Sequence, residues 1–376
     1  MRIDLPGAPG HVMSEPRTYK PPAGPAASRV AYAAAHVVAG DGAAGDAGLD
    51  WDATLAFRRH LWSYGLGVAE AMDTAQRGMG LDWATTRELI VRSGEEALSA
   101  GGRIVCGAGT DQLPAGPASL EQIAAAYEEQ LAVIESVGAV PVLMASRHLA
   151  AAASGPEDYA AVYGRLLAQV RRPVVLHWLG PMFDPALEGY WGSADLDVAS
   201  GALLALIGEH ASRIDGVKIS LLDAAREIDL RRRLPAGVRL YTGDDFNYPE
   251  LIRGDSEGHS DALLGVFDPI APAAAAALHA LDGGDTASYE EIFAPTVPLA
   301  RHLFETPTYY YKTGVVFLAW LTGHQRHFRM VGGLETARSV THMAGLFRLA
   351  DAAGLFPDPD LAAHRMRAWL TVQGAA

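Results

Sequence analysis

Lys218 lies within Ile214-Asp215-Gly216-Val217-Lys218-Ile219-Ser220, an apolar run that reads as a buried strand. It is one of three lysines, with Lys20 and Lys312, against twenty-seven arginines. Burial disfavours an ammonium, so a lysine in such a strand must pair with a carboxylate, snorkel to water or give up its proton. An unprotonated lysine is a nucleophile, and with a carbonyl compound it forms a Schiff base. The protonated imine is an electron sink, so retro-aldol cleavage, aldol addition and dehydration all become accessible through one enamine. Each needs a group that takes a proton and returns it. His177 is the candidate, because an imidazole serves either role near neutral pH. Its structural alternative is a ring packed beside Trp178 that donates one hydrogen bond.

The elements that must hold these residues follow from the pattern of apolar runs. Eight short β-prone runs are expected: Val30–Val38, Gly67–Met72, Arg103–Gly107, Val140–Ala145, Pro173–Leu179, Gly216–Ser220, Val238–Thr242 and Ala262–Phe267. Helical stretches separate them, among them Thr54–Tyr64, Trp83–Ser99, Leu120–Ser136, Glu157–Val170 and Leu196–His210. Alternation of this kind calls for parallel pairing through right-handed crossovers. Eight units over roughly 250 residues match a closed (β/α)8 barrel, the TIM barrel. An open doubly wound sheet competes, but the first βα turn lacks the glycine-rich phosphate fingerprint. Residues 1–28, rich in proline, glycine and alanine, read as an irregular arm. The barrel spans 29–285, and 286–376 reads as a helical extension packed on it, with pieces at Tyr289–Leu303, Val315–Thr322, Leu334–Ala352 and Leu361–Val372.

Active sites in such a barrel sit at the C-terminal ends of the strands. Polar residues there are His36, Asp73, Thr74, Thr110, Asp111, Arg147, His148, His177, Lys218, Ser220, Asp244, Asp245 and Asp268. Loop and helix capping is the commoner use of such residues, and Asp73, Asp111 and Asp184 read as caps. Adjacent acids on a strand end point opposite ways, so at most one of Asp244 and Asp245 faces the mouth. Lys312, among Tyr309, Tyr310 and Tyr311, rivals Lys218 as nucleophile. Its plainer reading is a solvated lysine at a helix start.

The order of these segments resembles the dihydrodipicolinate synthase and N-acetylneuraminate lyase family of class I aldolases. Gly216-Val217-Lys218 is similar to the Gly-hydrophobic-Lys that carries the family's Schiff-base lysine. Gly243-Asp244-Asp245 looks like its Gly-Asp-Asp, and Asp268-Pro269-Ile270-Ala271-Pro272 like its Asn-x-x-Pro. Arg103–Gly109 resembles its third strand and Gly-x-Gly turn. The likeness covers approximately residues 30–350, and each motif is weak alone. It implies a lyase or aldolase that forms a covalent imine on Lys218 and needs no cofactor or metal. His177 would be a second catalytic residue, with Thr74, Asp73, Ser220, Asp244 and Asp245 binding substrate. Two departures bear on that substrate. Asp73-Thr74-Ala75-Gln76-Arg77 stands where the family has the carboxylate-cradling Gly-Thr-Thr-Gly-Glu. Leu176-His177-Trp178-Leu179-Gly180-Pro181 stands at Tyr-Asn-x-Pro, with His177 in place of the relay tyrosine. A neutral, hydroxylated keto compound tolerates Asp73 better than a 2-oxo acid does.

Composition narrows the remaining classes. A net charge of -14 argues against nucleic acid and anionic membrane surfaces as partners. The single cysteine, Cys106, cannot close an internal disulfide, and neither a signal-type run nor a membrane-length apolar run occurs, so a cytoplasmic protein is expected. The family is commonly tetrameric, which implies a homo-oligomer. Two other readings remain open. His36, His148 and His177 with the strand-end acids form a divalent-metal site in one. In the other the barrel has lost catalysis and binds a ligand only.

Overall fold

The structure, a computed structural model, describes residues 1–40 and 48–375. A two-stranded antiparallel hairpin opens the chain, β1 (Arg2–Leu5) and β2 (Ala8–Val12). The arm expected to be irregular over 1–28 therefore begins with a ladder, in which Ile3 and Leu5 bury against the rest of the protein. Its proline-rich remainder carries no regular element.

Eight strands then follow at the expected places: β3 (Ala31–Ala34), β4 (Gly67–Glu70), β5 (Ile104–Ala108), β6 (Val140–Leu143), β7 (Val174–Leu179), β8 (Ile214–Ser220), β9 (Arg239–Thr242) and β10 (Asp261–Leu264). They close in the order β10-β3-β4-β5-β6-β7-β8-β9, every pair parallel. This is the (β/α)8 barrel, with helices after the strands and a helical tail. β3 is shorter than its apolar run predicts. The backbone N–H of His36 donates to the carboxylate of Asp268 at 2.8 Å and so leaves the ladder.

Alternation along each strand sorts the side chains into two layers. Tyr32, Ala34, Ala69, Val105, Val142, Val175, Tyr241 and Leu263 fill the lumen as one cluster. Trp178, Ile219 and Val217 point outward into the larger core shared with the helices. Parallel register puts His177 beside Lys218 and Leu179 beside Ser220, all on lumen-facing positions. His177 and Trp178 consequently point to opposite faces, so the imidazole does not pack beside that indole.

The helical tail divides more finely than its hydrophobic runs suggest: Thr286–Phe293, Thr296–Leu303, Tyr311–Leu321, Val340–Ala352 and Pro359–Val372. The third of these begins at Tyr311, earlier than expected. Leu303, Val315, Phe317 and Leu346 belong to the same continuous apolar core as the barrel helices.

Two buried polar contacts anchor the barrel rim. Arg58 of the first barrel helix pairs bidentately with Glu70 of β4, at 2.8 Å on each oxygen. Both side chains are fully buried. Glu227, in helix Ala224–Arg233, accepts from Thr242 (3.0 Å) and Ser260 (2.7 Å). Thr242 in turn accepts from the N–H of Asp244, so Glu227 steadies the turn Gly243-Asp244-Asp245.

Burial raises the Glu227 carboxyl from 4.5 to about 8, against the pull of its Ser260 and Thr242 hydrogen bonds. A carboxyl raised in this way favours folding as the neutral acid. That contribution is complete below the unfolded value of 4.5 and is lost as pH rises through about 8. Glu227→Gln is expected to remove the dependence. The variant should gain on the wild type from about pH 5 to about pH 8.5, by roughly 1–3 kcal/mol at the upper end. Denaturant melts at both pH values measure this, and a gap independent of pH would contradict it.

Candidate active site

Lys218 sits two residues before the C-terminal end of β8, on the lumen face, and is only 7% exposed. Its amine makes no hydrogen bond or ion pair with the described residues. Burial lowers its pKa, while Asp73 and Asp245 pull it the other way. Room for the lysine stem comes from Gly243 on the neighbouring strand end. A Cβ there would lie 2.8 Å from Lys218 Cε and closer still to Ser220 Oγ. The backbone carbonyl of Ile219 stands equally close, so the glycine of the Gly-Asp-Asp motif is required by the whole strand end it faces.

Around the amine is a narrow chamber lined by Ala34, Asp73, Thr74, Phe183, Asp245 and Tyr311, together with Met72, Leu179, Ser220 and Gly265. Its volume is about 10 Å³, roughly enough for one water. Asp73 and Leu179 form the wall it shares with a much larger cavity of about 750 Å³. That cavity spreads over the ends of β4 to β7 and is lined by Arg77, Thr110, Asp111, Ser146, His148 and His177 among others.

The expected site residues divide on inspection. Asp73 is no cap: it lies in a 3-10 turn, Asp73–Ala75, whose N-cap position is Met72, and its half-buried carboxylate bonds to no described residue. Thr74 is buried and its hydroxyl lies 2.8 Å from that of Tyr311. Ser220 Oγ lies 3.2 Å from His177 Nε2, while Nδ1 of that ring has no partner in the protein. Burial, aided by Lys218, holds His177 well below the usual imidazole value, so the ring is neutral.

Asp245 faces the lysine chamber, and one of its oxygens accepts from the N–H of Val266 at 2.8 Å. Burial pushes its carboxyl upward. Asp244, expected to touch substrate, does not line the chamber. Its two oxygens take the N–H groups of Phe246 and Asn247 and the side-chain amide of Asn247. The strand pleat sends one acid inward and uses the other to build the following turn.

Asp111 is not a cap either. It forms a bidentate pair with Arg77 at 2.9 and 2.6 Å, which joins the turn after β4 to the loop after β5. Although burial works against it, the hydrogen bonds and charge of Arg77 lower the Asp111 carboxyl below its ordinary value. Asp184 does cap a short turn at Ala186 and also pairs with Arg147.

Of the tail residues weighed, Tyr311 enters the site, and Lys312 is buried but lines neither cavity. Lys312 is not solvated: it is 3% exposed, and its amine donates to the carbonyl of Tyr309 at 3.0 Å. Burial lowers its pKa to about 8, against the attraction of Asp73 and Asp184. Tyr311, not Tyr310, is the tyrosine that reaches the lysine chamber. It stacks on Phe304 with ring centroids 4.3 Å apart. Burial and the nearby Asp73 raise its pKa well above the ordinary phenol value, so it remains a hydroxyl. A helix beginning at the third of three consecutive tyrosines was the available signal. The expected helix start at Val315 placed that residue outside the element.

The three histidines of the metal alternative are not brought together. His36 pairs with Asp268 at 2.8 Å, His148 bonds Thr110 and the carbonyl of Pro114, and His177 bonds Ser220.

A family described as protein of unknown function, DUF993, matches residues 6–375. The chain belongs to the DUF993 family. No curated protein matches the sequence. Solved structures with the same fold include dihydrodipicolinate synthase from Aquifex aeolicus, at 15% identity and a TM-score of 0.66 over 87% of this chain and 99% of that one. The enzyme from Thermotoga maritima is similar at 14% identity and a TM-score of 0.66, over 87% of this chain and 99% of that one. A prophage protein of the dihydrodipicolinic acid synthase family from E. coli K12, in complex with pyruvate, matches at 15% identity and a TM-score of 0.67, over 87% and 99%. At these identities the likeness establishes a shared fold, the one the strand motifs pointed to.

Asp245 favours the ammonium form of Lys218, so Asp245→Asn is expected to lower the lysine's pKa further. The midpoint of Lys218 labelling by an amine-selective reagent, followed against pH by peptide mass spectrometry, should move down by about half a unit or more. An unchanged or raised midpoint would show that the carboxylate does not act on this amine.

Proposed function

We propose that this protein is a Schiff-base-forming lyase or aldolase that works on a small hydroxylated keto compound through Lys218. One observation carries the reading: an amine without a hydrogen bond or ion pair among the described residues, held in the barrel lumen beside a small chamber whose Asp73–Leu179 wall adjoins a large cavity. A structural lysine at that depth would be expected in a salt bridge. Here the nearby acids leave the amine unbonded.

In the proposed reaction the neutral Lys218 nitrogen attacks the substrate carbonyl carbon, and one of its two protons passes to the carbonyl oxygen. The protonated Asp245 carboxyl, whose raised pKa suits it to hold a proton, gives that oxygen a second one, so it leaves as water and the protonated imine and an Asp245 carboxylate remain. The carbonyl end of the substrate takes the small chamber and displaces its water-sized contents. The rest of the substrate extends past Asp73 into the large cavity. A base then takes a proton from a hydroxyl beta to the imine, the adjacent C–C bond breaks, and its electrons enter the enamine. Neutral His177, backed by Ser220, is the acceptor. The Thr74–Tyr311 hydroxyl pair relays protons on the other side, so the tyrosine missing from the fifth barrel strand is supplied by the tail. Hydrolysis of the imine restores the amine.

Asp73 supports a polyhydroxylated rather than an anionic substrate. Its carboxylate has no donor among the described residues, so it is free to accept from substrate hydroxyls and would repel a 2-oxo acid's carboxylate. No metal or cofactor is called for in this chemistry. No helix among the described residues is long and apolar enough to cross a membrane. A cytoplasmic setting and a homo-oligomer complete the proposal.

Borohydride reduction in the presence of a panel of keto-sugars and 2-oxo acids tests it. The expected result is a stable adduct on the Lys218 peptide with a keto-sugar, absent in Lys218→Ala, and turnover lowered at least about a thousandfold in that variant. Measurable turnover with no adduct on Lys218 would sink the Schiff-base mechanism. An adduct with 2-oxo acids alone would sink the substrate class.

A further inference from the structure

Among the described residues a single group of three histidine and acidic side chains converges closely enough to hold a metal ion, and it lies outside the barrel mouth. It consists of His302, Glu305 and His342, with one ligand atom from each within 4.8 Å of the others. His302 ends helix Thr296–Leu303, Glu305 follows it in the connecting turn, and His342 lies in the first turn of helix Val340–Ala352.

The ring atoms are arranged for ligation. His302 Nε2 lies 2.8 Å from the backbone carbonyl of His342, and a carbonyl only accepts, so Nε2 carries the proton. The remaining nitrogen of the neutral ring, Nδ1, therefore presents a lone pair, and it faces Glu305 Oε2 at 3.5 Å. A metal-bound histidine is commonly fixed by the same device, its second N–H donated to a carbonyl. His342 places its own Nδ1 2.8 Å from the other oxygen, Glu305 Oε1. The carboxylate only accepts, so without an ion this Nδ1 carries the proton and donates it to Glu305. His342 Nε2 has no partner among the described residues, so binding of an ion at Nδ1 requires only that the proton move to Nε2.

Packing also favours this convergence. The two imidazoles stack with centroids 4.2 Å apart and planes within 16°, which aims both Nδ1 atoms at one carboxylate. Gly345, inside a helix where glycine costs about 1 kcal/mol relative to alanine, makes the stack possible. A Cβ there would lie 2.9 Å from His302 Nε2 and 3.0 Å from Cε1. Arg338 donates to the carbonyls of Glu305 and Pro307 and so holds the turn that carries the carboxylate.

We propose that His302, Glu305 and His342 bind a divalent transition metal of the Zn²⁺ class, with water in the open position. Two imidazoles and one carboxylate suit borderline ions, whereas Ca²⁺ and Mg²⁺ require all-oxygen sets. The ion is structural. Phe304, between His302 and Glu305 in sequence, stacks on Tyr311, so the metal staples the segment that delivers Tyr311 to the lysine chamber onto the helix Val340–Ala352. This inference stands whether or not Lys218 forms a Schiff base.

The test uses tag-free full-length protein, stripped with a chelator and titrated with Co²⁺. One equivalent should give visible ligand-field bands that Zn²⁺ abolishes, and Zn²⁺ should raise the melting temperature. In His302→Ala, whose side chain is partly exposed, affinity should fall about tenfold or more and the melting shift should vanish. His342→Ala should do the same. Because that ring is buried, misfolding would confound its loss, so His302→Ala decides. Absence of a one-equivalent site, or a site of unchanged affinity in His302→Ala, overturns the assignment.

Discussion

Desolvation of one amine organises the upper half of this barrel. A lysine placed on a lumen-facing position of a central strand is almost wholly withdrawn from water, and burial disfavours its charge. The neighbouring strand end carries a glycine, Gly243, where a Cβ would collide with Ser220 Oγ, the Ile219 carbonyl and the lysine stem. The next lumen-facing position brings Asp245, whose carboxyl is itself displaced upward by the same burial. Two groups with opposing preferences for charge then share one small space. The charge on each favours the charged form of the other, so their ionisation is decided jointly.

The rim around that space is held by buried and half-buried polar contacts between the turns at the strand ends. Glu227 supports the turn that carries Asp245, and the Arg77–Asp111 pair joins the turn after β4 to the loop after β5. Arg58 and Glu70 hold the opposite edge. Each is costly to bury and is satisfied on nearly every donor and acceptor. The barrel's apolar lumen alone would leave these loops free to shift, and the chamber beside Lys218 has no volume to spare.

Much of this was legible in the residue pattern, because strands buried on both faces announce themselves as apolar runs. All eight barrel strands overlap their expected runs, with β8 beginning two residues early, and Gly216-Val217-Lys218 placed the nucleophile candidate within its strand. What the pattern did not contain was direction and distance along the chain. Asp244 and Asp245 are chemically identical neighbours, and only the pleat of a formed strand assigns one to the lumen. Lys312 read as solvated because a lone lysine near a helix start usually is. Its burial depends on the tail folding back over the turn after β4, an event without local signature. Tyr311 was hidden for the same reason, since its partner Thr74 is 237 residues away.

That separation has a consequence for the order in which the molecule becomes competent. As the chain emerges during synthesis, Lys218 appears well before Tyr311. The Thr74–Tyr311 contact can close only after the whole barrel and the start of the tail have been made. On the proposed mechanism, a chain lacking that contact would lack the hydroxyl and part of the cover over Lys218, so competence would come with completion of the fold.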